Sequence, residues 1–226
     1  MWDTRFKLVT FDVYSALVDI EGSLLPLVRP ICGTDAEALS FIRLWRSKQL
    51  EAAQLVNSLE QGYIPFSLLT HRALTYAIAR TGMTVGDAKV HELVASWYRL
   101  QPWPEAAETV RAINALGRPV ALLSNGDEAM LRAFADTFDA RFDHVFASDH
   151  AGKYKPHPAI YALPSRALGL QPNDILHVAG SGNDVIGCKH AGLACAWTNR
   201  SGDVLIDPDV HPEHELRTLA ELIDFI

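Results

Sequence analysis

Five short apolar runs, at residues 6–11, 119–123, 144–147, 175–179 and 194–197, punctuate this 226-residue chain. Between the later runs lie stretches with helical spacing, at 105–116, 128–138, 159–168 and 184–191. Runs this short suit strands covered on both faces better than they suit buried helices. Each parallel crossover needs a helix, so the alternation predicts an α/β, Rossmann-like, three-layer parallel sheet. Residues 20–100 break the pattern, with helical periodicity at 35–59, 66–81 and 86–100 and no convincing strand. They read as a helical cap inserted after the first strand, leaving 1–19 and 101–226 as the core. The flanks at 22–30 and 101–104 carry the prolines and glycine expected of hinges.

Composition narrows the function. A net charge of −7, with no Lys/Arg stripe to offset it, argues against nucleic acid. No apolar run approaches the roughly 20 residues of a membrane helix. The start of the chain has no leader pattern. Three scattered cysteines (Cys32, Cys188, Cys195) suggest a reducing compartment, so the expected location is the cytoplasm. The nine histidines are equally scattered and mark no metal site.

Four polar signals fall at or near predicted strand ends, where neighbouring strands of such a sheet converge on one crevice. Asp12 ends the first strand, and Tyr14 stands two places on where a second acid would make a cation site. Ser124-Asn125-Gly126 follows the second run, Lys155-Pro156 comes after the third, and Asp184 closes Gly180-Ser181-Gly182-Asn183-Asp184. Alone, Asp12 would read as a turn cap, Asp184 as a helix cap and Arg46 as a solvated charge. Ser124 lacks the Gly-x-Ser-x-Gly elbow of a serine nucleophile. The glycines at 180, 182 and 187 miss the dinucleotide-loop spacing.

In this order and context, the four signals resemble the motifs of the haloacid dehalogenase superfamily over nearly the whole chain. Within it, Tyr14, the segment Leu44-Trp45-Arg46-Ser47-Lys48-Gln49-Leu50-Glu51 and the late Asn199-Arg200-Ser201-Gly202 resemble the L-2-haloacid dehalogenases. The resemblance implies that Asp12 is the nucleophile and that Asp184, helped by Lys155, activates a water. It further implies that Lys155, Ser124 and backbone N–H groups hold a substrate carboxylate, and that Arg46 and Asn125 cradle the halide. Tyr14, Leu50 and Phe66 would form apolar walls, with Ser15 and Ser181 also lining the substrate. A homodimer is implied as well.

A phosphatase of the superfamily needs Mg²⁺ and a second acid after the nucleophile. Here Tyr14 and Gly180 stand where the proton donor and a metal carboxylate would be, so no cofactor is expected. Halide departure needs no proton donor. The pattern departs from the dehalogenases at Ser15-Ala16, where they have Gly-Thr, and in the fourth motif, where Gly180 and Ser181 replace Ser and Asn. Two other readings stay open: a Mg²⁺-dependent phosphatase, and a binding protein that has kept the fold.

Overall fold

The computed structural model describes residues 6–60 and 62–226; the expectation about the start of the chain falls on residues 1–5, outside the described residues. Strand β1 (Leu8–Phe11) is followed by four helices: α1 (Ile20–Cys32), α2 (Asp35–Leu59), α3 (Phe66–Thr81) and α4 (Asp87–Ser96). The chain then runs α5 (Ala106–Ala115), β2 (Val120–Ser124), α6 (Glu128–Thr137) and β3 (His144–Ala147). Three short helices follow: α7 (Ser148–Ala151), α8 (Pro158–Tyr161) and α9 (Leu163–Leu168). It closes with β4 (Ile175–Ala179), α10 (Gly182–His190), β5 (Ala194–Thr198) and β6 (His214–Leu216).

The strands form one parallel sheet in the order β3-β2-β1-β4-β5-β6. β1, β2, β4 and β5 are buried along their whole length, because apolar side chains on both faces are covered. Val9 and Phe11 face one core, and Leu8 faces the other with Ala121, Ile175 and Ala179. β1 is central, so the carboxyl ends of β1, β2 and β4 open side by side.

The segment 22–30, read above as a hinge, is instead part of α1. Its two prolines each remove one N–H, but Pro26 and Pro30 lie on the exposed side. Ile20, Leu24 and Val28, spaced four apart, bury the other side, and the Asp19 carboxylate caps the first turn from Gly22 N at 2.8 Å. The predicted helix 159–168 is broken at Ala162 into α8 and α9. The three-residue β6 carries no strand pattern of its own and pairs only beside β5. No helix among the described residues is long and apolar enough to cross a membrane.

The helices of 20–96 pack on one another and are pinned to the sheet end. Trp45 Nε1 donates to Thr70 O at 2.9 Å, tying α2 to α3. Pro65 has no side chain to cap α3, and Asp127 does so from the loop after β2. Its carboxylate accepts from Phe66 N at 2.7 Å, Ser67 N at 3.0 Å and the Tyr63 hydroxyl at 2.5 Å. Asn57 and the Tyr154 backbone exchange two bonds at 2.7 and 2.9 Å. The chain leaves and re-enters the core side by side: Asp19 N donates to Gln101 O and Trp103 N to Leu17 O, both at 2.9 Å.

Candidate active site

Asp12 leaves the tip of β1 with its N–H bonded to Val178 O at 3.0 Å, so the strand pairing fixes where its carboxylate points. Ser124, ending β2, donates from Oγ to Asp12 Oδ1 at 2.9 Å and accepts from Val13 N at 3.3 Å. Asp184 sits in the first turn of α10, capped by Ser181, and accepts from the Tyr161 hydroxyl at 2.7 Å. Between the two carboxylates lies the Lys155 ammonium, 3.2 Å from Asp12 Oδ1 and 3.0 Å from Asp184. His177, in the middle of β4, places Nε2 3.1 Å from the same ammonium and 3.0 Å from Asp184. Asp12, Ser124, Lys155, His177, Asp184 and Tyr161 are all buried.

Two acids sharing one ammonium do not titrate alike. Burial pushes the Asp12 carboxyl up, the neighbouring Asp184 charge adds to this, and Lys155 opposes it. Burial works against Asp184 too, but Lys155, His177 and Tyr161 together outweigh it and hold that carboxyl well below the usual range. Burial also draws Lys155 down, yet its two carboxylate neighbours keep it above its ordinary value. Burial and the adjacent ammonium lower His177, favouring the neutral ring.

Arg46 reaches the site from α2. Its guanidinium lies 5.5 Å from the Tyr14 ring centre and 5.6 Å from that of Trp97. It donates to Gln49 Oε1 at 2.5 Å, and Gln49 donates on to Thr70 Oγ1 at 2.5 Å, so a buried chain of bonds fixes its direction. The Asn125 amide oxygen accepts from Lys155 N at 2.7 Å and from Ser148 Oγ at 3.4 Å, leaving its nitrogen as the donor toward the cavity. Asp12, Asn125, Lys155, Asp184, Arg46, Leu50 and Ser181 all line one small cavity of about 30 Å³. Arg46, Leu50, Gln54 and Asn183 also border a wider groove of about 820 Å³ that opens beside it.

Other expected residues are placed differently. Tyr14 and Phe66 are buried and pack against each other, with ring centres 5.4 Å apart and planes tilted by 32°. Ser15, whose backbone takes a left-handed φ of 85°, lines the wider groove. Lys155 and Ser124 were expected to hold a substrate carboxylate. Here the Ser124 hydroxyl donates to Asp12, and the Lys155 ammonium lies within hydrogen-bond distance of Asp12, Asp184 and His177. His177 and Tyr161 were not foreseen. The only sequence signal for His177 is a titratable residue inside an otherwise apolar strand.

The donor set does not fit a magnesium ion. The Lys155 ammonium already stands between the two carboxylates that would be its ligands. Tyr14 fills the neighbouring acid position with a ring whose burial keeps the phenol protonated. A side chain at Gly180 has no room, since a Cβ there would lie 2.4 Å from Ala16 N and 2.7 Å from Ser15 C. Among the described residues no group of three or more His, Cys, Asp and Glu is arranged to hold a metal.

Comparison with known proteins agrees with this geometry. The family profile of haloacid dehalogenase-like hydrolases matches residues 6–192. An (S)-2-haloacid dehalogenase 4A of Burkholderia cepacia is 32% identical, covering 94% of this chain and 91% of its own. A crystal structure of an L-2-haloacid dehalogenase superposes with a TM-score of 0.90 at 29% identity, covering 97% of both chains. Another, from Xanthobacter autotrophicus with chloropropionic acid covalently bound, gives 0.84 at 25% identity and 97% coverage of both. The chain belongs to the haloacid dehalogenase-like hydrolases, and the relatives it resembles within them are (S)-2-haloacid dehalogenases.

Proposed function

We propose that this chain hydrolyses the carbon–halogen bond of small (S)-2-haloalkanoic acids, releasing halide and the 2-hydroxy acid. The observation that carries this reading is the buried Lys155 ammonium held 3.2 and 3.0 Å from the two carboxylates. It supplies the cation locally and opposes the burial that raises the Asp12 carboxyl.

Asp12 Oδ1 accepts both Ser124 and Lys155, while Oδ2 takes no hydrogen bond among the described residues. Oδ2 is therefore the attacking oxygen. Its lone pair forms an ester with C2 as the carbon–halogen bond breaks, and the bond electrons leave with the halide. Arg46 and the Asn125 amide nitrogen face the departing anion. The first turn of α10 offers Gly182 and Asn183 N–H groups without intrahelical partners, which suits the substrate carboxylate. Water then attacks the Asp12 carboxyl carbon, giving one proton to Asp184, which passes it to the departing hydroxy-acid oxygen, while the second proton leaves the regenerated Asp12 carboxyl to solvent. The ester C–O bond on the aspartate side breaks, releasing the hydroxy acid and restoring Asp12. A similar structure carries chloropropionic acid covalently bound, which supports an ester of this kind.

The same reading makes residues 20–100 a cap over a core of 1–19 and 101–226. It also makes the enzyme a cytoplasmic homodimer. Free Cys188 and Cys195, both buried, support the location. Leu55, Leu59, Leu68 and Tyr76 leave large exposed apolar surface on α2 and α3, which supports dimerisation there.

The test is halide release from (S)-2-chloropropionate in the presence of EDTA. Activity that persists with chelator and falls by about 10³-fold or more in Asp12→Asn is expected. Full activity in that variant would remove Asp12 from the mechanism. Turnover of p-nitrophenyl phosphate that dies with chelator would move the chain to the phosphatases.

A further inference from the structure

His177 is fully buried in β4, and the mechanism above gives it no part. Its ring is anchored on one side by its register neighbour on β1, with Nδ1 2.9 Å from Thr10 Oγ1. On the other side Nε2 meets Lys155 Nζ at 3.1 Å and Asp184 Oδ2 at 3.0 Å. Tyr161 stands edge-on at 5.9 Å, and Cys195 is its neighbour on β5. Nothing about strand packing requires an imidazole here, since the flanking positions of β4 are filled by Leu176 and Val178.

The Lys155 ammonium has three hydrogens and, in this structure, three acceptors around it: Asp12, Asp184 and His177. In the tautomer that donates Nδ1–H to Thr10 Oγ1, the Nε2 lone pair is left for the third. Before the first step, two carboxylates on opposite sides hold the ammonium in place. Once Asp12 is esterified its charge is gone, and one side of that electrostatic trap disappears. The ammonium is then drawn toward Asp184, which quenches the base needed for the water. A neutral acceptor fixed to the sheet keeps one Lys155 hydrogen where it was.

We propose that His177 is a positioning residue for the second half of the reaction, holding Lys155, and through it Asp184, in place while Asp12 is an ester. This inference rests on the dehalogenase reading. It requires the two half-reactions to respond differently to loss of the ring. A core residue with no such role would not separate them.

The experiment is rapid-quench halide release from (S)-2-chloropropionate, with intact-protein mass spectrometry, on the wild type, His177→Phe and His177→Gln. His177→Phe is expected to release about one halide per site at a near-normal rate. Its steady turnover then drops by about 10-fold or more, and protein carrying one bound acyl unit accumulates. His177→Gln, which restores an acceptor, is expected to recover much of the loss. If His177→Phe does not fold, Thr10→Val frees the anchor and is expected to show the same split, more weakly. A first turnover slowed as much as the steady state, with no bound acyl unit, overturns the inference, as does unchanged turnover. Absence of halide release by the wild type sinks the dehalogenase reading itself.

Discussion

At the residue scale, the site depends on two acids made unlike by their neighbours. Burial raises both, but Asp184 collects Lys155, His177 and Tyr161, whereas Asp12 has Lys155 and Ser124 and the Asp184 charge against it. Asp12 must be ionised to attack, and its carboxyl is raised, so activity is lost as pH falls through a value above 3.8. Asp184 is lowered, so the stability it lends is complete above 3.8 and fades only as pH falls further, toward its folded value. Halide release is therefore expected to fail at a higher pH than the cooperative unfolding followed by circular dichroism. Coincident loss of both would contradict the split. Asp12, Ser124, Lys155 and Asp184 were legible because each follows a strand end, and topology gathers such positions. His177 was not legible, because its role needs Thr10, Lys155 and Asp184 brought together from three separate elements. The left-handed backbone of Ser15 was likewise not legible, since Ser-Ala does not advertise a positive φ.

At the element scale, the helical block is located by capping as much as by apolar packing. α3 begins at a proline without a capping side chain, and Asp127 supplies the missing acceptors across the cleft. Asp127→Ala removes three hydrogen bonds and is expected to cost about 1–2 kcal/mol. Loosening α3 also releases the Thr70 end of the Gln49–Arg46 chain, so KM is expected to rise as well. Thermal unfolding and steady-state kinetics check the two parts, and an unchanged KM would mean the cap only stabilises. α2 and α3 were readable from their periodicity, and the capping box of Thr34 and Glu37 marks where α2 starts. α1 was not, because its two prolines dominate a local reading while its burial depends on the helices laid over it. The exposed Leu59, at 58%, sits at the end of α2. Leu59→Glu is expected to shift the protein toward monomer in sedimentation velocity while leaving the fold intact. An unaltered sedimentation coefficient in a dimeric wild type would put the interface elsewhere.

At the scale of the whole molecule, the parallel sheet was predictable because buried strands separated by helices permit few arrangements. The short β6 escaped notice, since three residues at an edge need only a neighbour to pair with. The two crossings beside Val18 and Pro102 carry a further meaning. They are bonded to each other through Asp19, Gln101, Leu17 and Trp103, so the chain's departure and return share one doorway. Splicing that doorway shut with a short Gly-Ser turn in place of residues 20–100 is expected to give a sheet that still unfolds cooperatively but no longer releases halide. A spliced chain lacking secondary structure would mean that the lower half is not autonomous. If it folds, the upper half becomes an interchangeable fitting, free to be swapped for one that admits other acids while the strand ends beneath it stay as they are.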